Sequence, residues 1–245
     1  MARNPYVLVN QPPEDNFVIV KDDEARHLAS VLRARPGYPF VAFDGNGRAW
    51  QAKVSSVNKR EVTGLVNFEL PKTPLQLPQI TVAVGVVKGQ HMDFALEKAA
   101  EIGATRFIPM ITELCVIQPG DGKVSRWRSI ALSAAKQAHR RYLMDVAETV
   151  DIRQILASSD HDTRWGLSCN GERKPIIDVI HECPALNSLL IFIGPEGGFT
   201  DSELELFQSS GVSLITLGEN PLRTETAVAV TLGIATNCLT QKADE

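Results

Sequence analysis

The chain lacks the features that place a protein in or across a membrane. None of its apolar runs reaches the ~20 residues that a membrane-spanning helix needs. The start, Met1-Ala2-Arg3-Asn4-Pro5, leads into no long apolar stretch, so no secretory signal is expected. The composition of the 245 residues, with 44% hydrophobic and 22% charged, is that of an ordinary globular protein, which we expect in the cytoplasm.

Closely spaced cysteines are also lacking. The four cysteines, Cys115, Cys169, Cys183 and Cys238, lie far apart and form no Cys-x-x-Cys pair. The five histidines show no metal-binding spacing, so we expect neither a structural zinc site nor any other metal. Scattered cysteines suit a reducing compartment, in agreement with a cytoplasmic location.

The chain also lacks an excess of positive charge, since its net charge is −4. The charge is unevenly spread, however. Residues 26–60 contain seven basic residues and one acid, and residues 123–141 contain six basic residues and no acid. Such segregation can create a phosphate-binding surface on an acidic protein. It can equally reflect two solvated faces, and charge alone does not decide between them.

The N-terminal part, residues 1–71, is predicted to form a small β-barrel. Strands are expected at residues 17–20, 39–43, 49–54 and 62–66, interrupted by one short helix over residues 22–32. The run Asp44-Gly45-Asn46-Gly47 is a turn signal between two of these strands. Prolines at 71, 74 and 78 disfavour helix and central strand, so residues 72–79 are predicted to be a linker.

From residue 80 to residue 245 the pattern changes to that of an α/β domain. Apolar strands are predicted at residues 80–87, 106–110, 163–168, 189–193 and 213–217. Helices are predicted over residues 91–102, ended by Gly103, and over residues 124–142. A third helix is predicted to start at Thr200, and a separate last helix is predicted to end at about residue 239. Strands that alternate with helices indicate a mainly parallel sheet.

A glycine-rich loop follows the strand predicted at residues 189–193. It reads Gly194-Pro195-Glu196-Gly197-Gly198-Phe199, and Thr200-Asp201-Ser202-Glu203 then forms a capping box that starts a helix. Ligands of open α/β sheets bind outside the carboxyl ends of the strands, and glycines let a ligand approach the backbone. A tight connection without a ligand is the competing interpretation.

A second loop of the same kind follows the strand at residues 213–217. The chain passes through Leu217-Gly218 and turns at Glu219-Asn220-Pro221. It then enters Leu222-Arg223-Thr224-Glu225-Thr226-Ala227, which opens a helix that is apolar almost all round. Such a helix must be buried in a core or an interface. Its charged first turn then needs partners, which a polar ligand or RNA would supply.

Together these two motifs resemble the RsmE-type family of 16S ribosomal RNA uridine-N-3 methyltransferases, in the SPOUT superfamily. The resemblance extends to Arg26-His27-Leu28 and Asp44-Gly45, which look like the family's PUA-like RNA-binding domain, and to Lys88 with Glu97-Lys98-Ala99-Ala100. It implies a C-terminal SPOUT domain with a trefoil knot, a homodimer, and an S-adenosyl-L-methionine site. The residues implied for that site are Leu167, Ile193, Gly194, Gly197, Gly198, Leu217, Gly218, Leu222, Arg223, Thr224, Thr226 and Ala227.

The resemblance also implies a partner, 16S ribosomal RNA within the small ribosomal subunit. The residues proposed to contact RNA are Arg26, His27, Arg33, Arg35 and Arg140. The stretch of residues 136–144 departs from the family pattern. At the matching positions, family members have Glu-Gln, a small residue, Gly, Arg and later Pro. Here it reads Lys136-Gln137-Ala138-His139-Arg140, and Met144 stands in place of the proline. The departure puts target choice in doubt, but not methyl transfer.

The implied reaction needs a group that handles the proton on uridine N-3. Arg223 could stabilise the negative charge that develops on the uracil carbonyls. Glu196 or Glu225 could accept the proton or offset a sulfonium charge, and the sequence does not single out a base. An Arg223–Glu225 ion pair that only caps the last helix is the structural alternative.

Two other functions remain open from the residues alone. One is a non-catalytic RNA-binding or ribosome-assembly protein with a degenerate methyltransferase domain, against which the intact Arg223-Thr224-Glu225-Thr226 speaks. The other is an α/β enzyme with a nucleotide cofactor, which the absence of Gly-x-Gly-x-x-Gly weakens.

Overall fold

The structure, a computed structural model, describes residues 4–58, 60–117, 119–120 and 122–243. Lys59, one of the basic residues counted above, lies outside this part. The chain divides into two compact units. The N-terminal unit contains Met1–Leu75 and Ala135–Leu143, and the C-terminal unit contains Gln76–Ala134 and Met144–Glu245.

The N-terminal unit is built on one sheet. Its described residues form five strands, which are β1 (Tyr6–Leu8), β2 (Phe17–Lys21), β3 (Pro39–Phe43), β4 (Ala49–Val57) and β5 (Glu61–Leu70). The strand order is β1-β3-β4-β5-β2, with β1 parallel to β3 and the other pairs antiparallel. The sheet is curled, so the predicted small barrel is present as an open half-barrel. Strand β1, only 3 residues long, was not predicted.

Local chemistry explains the hairpin between β3 and β4. One carboxylate oxygen of Asp44 accepts the backbone N–H groups of Asn46 at 2.7 Å and of Arg48 at 3.1 Å, which closes the predicted turn. Gly45 and Gly47 both adopt positive φ within it. The side chains that alternate inward, among them Phe40, Trp50 and Val62, form the core. Helix α1 (Asp22–Arg26), extended by one π-helical turn over His27–Val31, closes this core with Leu28.

The C-terminal unit is an α/β domain, as predicted. Its described residues form an eight-stranded sheet in which all pairs are parallel. The order is β11-β13-β10-β12-β6-β7-β8, and β9 also pairs with β7. The strands are β6 (Gln79–Gly85), β7 (Arg106–Ile111), β8 (Asp145–Val146), β9 (Val150–Asp151), β10 (Thr163–Leu167), β11 (Lys174–Pro175), β12 (Ser188–Ile193) and β13 (Ser213–Thr216).

Helices cover both faces of this sheet. They are α2 (Gln90–Ile102), α3 (Lys123–Gln137), α4 (Ile152–Ser158), α5 (Ile176–Glu182), α6 (Asp201–Ser209) and α7 (Thr224–Ala243). Alternate residues of β12 enter different cores, Leu189 and Ile191 on one face, Leu190 and Phe192 on the other. That division explains why the central strands are apolar without alternation. Among the described residues, no helix combines the length and apolarity needed to cross a membrane.

The end of α3 corrects one expectation. The helix predicted over residues 124–142 stops at Gln137, because His139 adopts φ +56°. The N–H of His139 donates to Lys136 O at 3.3 Å and that of Arg140 to Ala135 O at 2.9 Å, the two bonds of a Schellman helix end. Glycine usually occupies this left-handed position, and glycine is the residue that His139 replaces relative to the family pattern.

The residues after this helix end pair with the N-terminal hairpin. Gly47 N donates to Arg141 O at 3.0 Å, and Leu143 N donates to Gly45 O at 3.1 Å. The His139 ring stacks on Tyr6 with centroids 4.6 Å apart and planes 10° apart. The segment therefore leaves the helix because its backbone is hydrogen-bonded to the predicted Asp44–Gly47 turn, a pairing that no local sequence pattern reveals.

Candidate functional site

A cavity of about 190 Å³ lies at the carboxyl ends of the parallel strands in the C-terminal unit. The loops that follow β10, β12 and β13 form its wall, together with the start of α7. Because β10 lies between β12 and β13 in the sheet, the three loops emerge side by side. This is the position at which open α/β sheets bind ligands.

The loop after β12 owes its shape to its glycines. Gly198 has φ +72°, and its N–H donates to Pro195 O at 2.9 Å. A Cβ at Gly194 would lie 3.0 Å from the carbonyl carbon of Gly198, so the loop folds back on itself too tightly for a side chain there. A Cβ at Gly85, where β6 ends, would lie 2.5 Å from Pro195 N. These contacts require glycine and leave the loop backbone facing the cavity.

The capping box of α6 holds this loop in place, as predicted. Thr200 caps the helix by accepting the N–H of Glu203, and the Glu203 side chain accepts the N–H of Thr200 at 2.9 Å. Glu203 is only 1% exposed, and its other carboxylate oxygen accepts the N–H of Glu113 at 2.9 Å. One buried carboxylate thus joins the loop after β7 to the loop after β12.

Three polar residues at the start of α7 and just before it have different surroundings. Thr224 is buried, and its hydroxyl donates to Gly194 O at 3.0 Å. Glu225 is also buried and lies 2.9 Å from Nδ1 of His91, at the start of α2. Arg223 is exposed and has no side-chain partner among the described residues. The alternative Arg223–Glu225 ion pair is therefore absent from the described contacts.

Most residues proposed for the cofactor meet at this cavity. Those that line it are Leu167, Ile193, Gly194, Gly197, Gly198, Leu217, Gly218, Leu222, Thr224 and Ala227. Glu196, proposed for catalysis, lines it as well. Arg223, Glu225 and Thr226 are not among the lining residues, although Leu222 and Thr224 on either side of Arg223 are. Arg223 is therefore a chain neighbour of the lining and not part of it.

Sequence reasoning missed part of the lining. Besides Ser168, in the same predicted loop as Leu167, the cavity also contacts residues that were not anticipated: Cys169, Asn170, Pro195, Phe199, Thr216, Asn220 and Pro221. All are neighbours of predicted residues in the same loops. The predicted strand ends at residues 168, 193 and 217 could have identified them, because the loops of adjacent parallel strands share one edge.

The residues proposed for RNA lie in the N-terminal unit. Arg33 and Arg35 are exposed and have no described partner, and Arg33 adopts φ +50°. Arg26 is exposed and pairs with Asp23 at 2.9 Å, while His27 is half-buried. Arg140 is half-buried without a described partner, and burial lowers the pKa of its guanidinium. Arg33 and Arg35 therefore keep their hydrogen-bond donors available to a ligand.

The second basic segment, residues 123–141, is largely used within the protein. In the described part of the chain, four of its basic side chains have intramolecular partners: Arg126 with Asp93, Arg128 with Glu148, Lys136 with Glu24, and Arg141 with the carbonyl of Pro71. The unusual Lys136 lies 2.7 Å from Glu24, whose other oxygen accepts Leu8 N. This charge cluster is thus mainly structural. Met144, the other departure, is buried in the core of the C-terminal unit.

Comparisons with known proteins agree with this architecture. The family model described as an RNA methyltransferase domain matches residues 73–236, and that of an RNA methyltransferase PUA domain matches residues 20–66. The ribosomal RNA small subunit methyltransferase E of Bacillus subtilis is 31% identical over 85% of this chain and 85% of that protein. The protein of the same name from Mycobacterium bovis is 30% identical over 96% and 92%.

A solved structure supports the same assignment. The crystal structure of a ribosomal RNA small subunit methyltransferase E from Neisseria gonorrhoeae, bound to S-adenosyl methionine, superimposes with a TM-score of 0.86. The two chains are 27% identical, and the match covers 96% of this chain and 98% of that one. The family predicted from the sequence is therefore confirmed: the chain belongs to the RNA methyltransferase family and groups with the ribosomal RNA small subunit methyltransferases E.

Proposed function

We propose that the protein transfers a methyl group from S-adenosyl-L-methionine to N-3 of a uridine in 16S ribosomal RNA. The observation that carries this proposal is the cavity at the carboxyl ends of β10, β12 and β13, lined by the loops that the family motif identified. Membership in a methyltransferase family, together with this intact site, favours an enzyme over a non-catalytic RNA-binding protein.

The residues of the cavity suit this cofactor. A nucleoside and an amino-acid moiety need backbone donors and acceptors as well as apolar surface, and the three loops offer both. Gly194, Gly197, Gly198 and Gly218 leave the backbone accessible, and Ile193, Leu167, Leu217 and Leu222 supply the apolar surface. When bound, S-adenosylmethionine supplies an electrophilic methyl group on a sulfonium.

The chain's own task is to position the uracil and to manage its proton. Arg223, exposed next to the lining residues Leu222 and Thr224 and without a described partner, is proposed to donate to a uracil carbonyl as negative charge develops. Glu196 lines the cavity and is the better placed proton acceptor. Glu225 is held by His91, so we assign it to the support of α7 rather than to proton transfer.

We assign RNA recognition to the N-terminal unit. Arg33 and Arg35, exposed and without described partners, are proposed to bind phosphates, with Arg140, Arg26 and His27 contributing. In this division of labour residues 1–71, together with Arg140, bind RNA, residues 72–79 connect, and the rest of residues 80–245 carries the chemistry. The substrate would be 16S RNA in the small ribosomal subunit, and the protein would act in the cytoplasm.

A homodimer and a trefoil knot complete the proposal. Helix α7 buries Val228, Leu232 and Ala235 within its own unit, so its apolar character alone does not demand a partner. A second stripe of this helix, Thr226, Val230, Gly233 and Asn237, faces away from the core. We propose that this stripe packs against a second copy of the chain.

The decisive experiment is a methyl assay on the RNA itself. Purified protein, S-adenosylmethionine and small subunits from cells lacking the protein should yield 3-methyluridine in 16S RNA, detected by mass spectrometry of nucleosides. Cofactor binding by calorimetry without methyl transfer would support the non-catalytic alternative. Methylation at another atom of uridine would leave the enzyme class intact and overturn the position.

A further inference from the structure

Two adjacent strands end in the same hydroxyl-closed turn. After β10, the Ser168 hydroxyl accepts the N–H of Asn170 at 3.0 Å and donates to Asn170 O at 2.8 Å. At the end of β13, the Thr216 hydroxyl accepts the N–H of Gly218 at 3.2 Å and donates to Gly218 O at 2.8 Å. In both turns a single hydroxyl binds both backbone groups of the residue two positions later.

The two turns lie side by side at the cavity. Leu167 pairs with Ile215, and the N–H of Ser168 donates to Ile215 O at 3.1 Å. Ser168, directly after β10, therefore lies beside Thr216, the last residue of the neighbouring parallel strand β13. The residues enclosed by the turns, Cys169 and Leu217, both line the cavity. So do the hydroxyl residues themselves and the residues that they bind. One wall of the cavity is therefore shaped by these turns.

The physical effect of such a turn is to fix a loop before a ligand arrives. Without the hydroxyl, a loop with few other contacts samples several backbone conformations, and binding must then order it. Serine and threonine side chains that bond to nearby backbone groups remove that freedom. Ligand affinity is higher when the loop is already ordered in the folded protein, because binding then does not have to order it.

We propose that Ser168 and Thr216 are positioning residues, which hold the backbone around Cys169 and Leu217 in the shape that S-adenosylmethionine meets. This inference rests on the proposed function, because it takes the cavity as the cofactor site. Neither hydroxyl is assigned to the reaction. Their loss is expected to weaken cofactor binding without changing the rate at saturating cofactor.

The test compares Ser168→Ala and Thr216→Val with the parent protein. Calorimetry should show a dissociation constant for S-adenosylmethionine raised about tenfold in each variant, with a more unfavourable entropy. Amide exchange without cofactor should be faster in peptides that contain residues 168–170 or 216–218. In methylation assays KM for the cofactor should rise while kcat stays unchanged. The conservative variants Ser168→Thr and Thr216→Ser, which keep the hydroxyl, should restore parent-like affinity.

A matched control separates this role from general stability. Ser209, in α6, also bonds its hydroxyl to a nearby backbone carbonyl, Leu206 O at 3.0 Å, but it does not line the cavity. Ser209→Ala should leave cofactor affinity unchanged. Parent-like affinity and exchange in Ser168→Ala and Thr216→Val would overturn the inference. A parent protein that takes up no S-adenosylmethionine would instead overturn the proposed function, and the exchange comparison would still decide whether the hydroxyls hold the loops.

Discussion

The hydroxyl of Thr224 donates to the carbonyl oxygen of Gly194 at 3.0 Å, across a separation of 30 residues. Thr224 is the first residue of α7, and Gly194 follows the last residue of β12. Both residues line the cavity, and Thr224 is only 4% exposed. One buried hydrogen bond therefore ties the start of the last helix to the glycine-rich loop.

Replacing Thr224 with valine should detach these two segments. The change keeps the shape of the side chain but leaves the Gly194 carbonyl without its donor, at a cost of about 1–3 kcal/mol. We expect weaker S-adenosylmethionine binding by about tenfold and a lower melting temperature. Calorimetry and thermal unfolding measure both effects. Thr224→Ser, which keeps the donor, is the control, and equal affinity in Thr224→Val and Thr224→Ser would contradict a role for the hydrogen bond.

Gly198, in the glycine-rich loop, and Gly211, after α6, have the same backbone conformation, so Gly211 can serve as a control for Gly198. Their φ angles are +72° and +70°, and an added Cβ at either would meet no atom within 4 Å. Alanine at either position should therefore lower the free energy of unfolding by a similar amount, about 1–2 kcal/mol, because of backbone strain. Only Gly198 lines the cavity, so only Gly198→Ala should also weaken cofactor binding. Equal cofactor affinity in the two variants would remove Gly198 from the binding site.

The rate at which the Cys169 thiol is alkylated should show whether the cavity is occupied. Its thiol is exposed and lines the cavity, whereas Cys115, Cys183 and Cys238 are less exposed. Iodoacetamide should modify Cys169 first, and saturating S-adenosylmethionine should slow this reaction. Peptide mass spectrometry follows each cysteine separately, with Cys183, which does not line the cavity, as the internal control. If the cofactor protects Cys183 and Cys169 equally, the effect is global stabilisation rather than contact.

Local patterns predicted the elements that carry the site. Apolar runs identified β12 and β13, and the capping box at Thr200 marked the start of α6, because each signal is contained in a few consecutive residues. The position of the cavity followed from the rule that loops of parallel strands share an edge. The two-residue strands β8, β9 and β11 were missed, since only pairing with a neighbour defines them.

Contacts between distant residues account for the remaining errors. Nothing near Glu225 in the sequence indicates that its partner is His91, which lies 134 residues away. Residues 138–142 looked helical because their composition continues that of α3. His139, a residue without glycine's freedom, nevertheless takes the left-handed conformation, since the following residues pair with the Gly45–Gly47 turn. Side-chain partners of this kind become visible only once the chain is folded.

Arg33 and Arg35 provide the test of the RNA surface. Replacing both with glutamine should weaken RNA binding. It should also make the negative slope of log K against log salt concentration shallower by about 1.5. S-adenosylmethionine affinity should stay at the parent value, because neither residue belongs to the cavity. Arg48→Gln is the control, since Arg48 is paired with Glu69 at 2.9 Å. A salt slope equal to that of the parent would make Arg33 and Arg35 merely solvated charges.

Arg223 provides the test of the chemistry. The residue is exposed and lies in the chain between two residues that line the cavity, and its guanidinium has no described partner. Uracil loses its N-3 proton only if the anion shared by the flanking carbonyls is stabilised, and a planar guanidinium can donate to such an oxygen with several N–H groups. Arg223→Lys keeps the positive charge but loses this planar set of donors. The loss of one preorganised contact typically lowers the reaction rate by a factor of ~10²–10³.

We therefore expect single-turnover methylation by Arg223→Lys to be slower by about 10²–10³, with cofactor affinity changed much less. Raising the pH should recover part of the rate, because hydroxide can then remove the proton that the enzyme no longer helps to release. The measurement is a rate–pH profile with excess enzyme over RNA, beside calorimetry with S-adenosylmethionine. Methylation at the parent rate would reduce Arg223 to a residue of the helix start. Loss of cofactor binding would move it from the reaction to the binding site, and a slow rate that pH does not change would leave the positioning of RNA as its role.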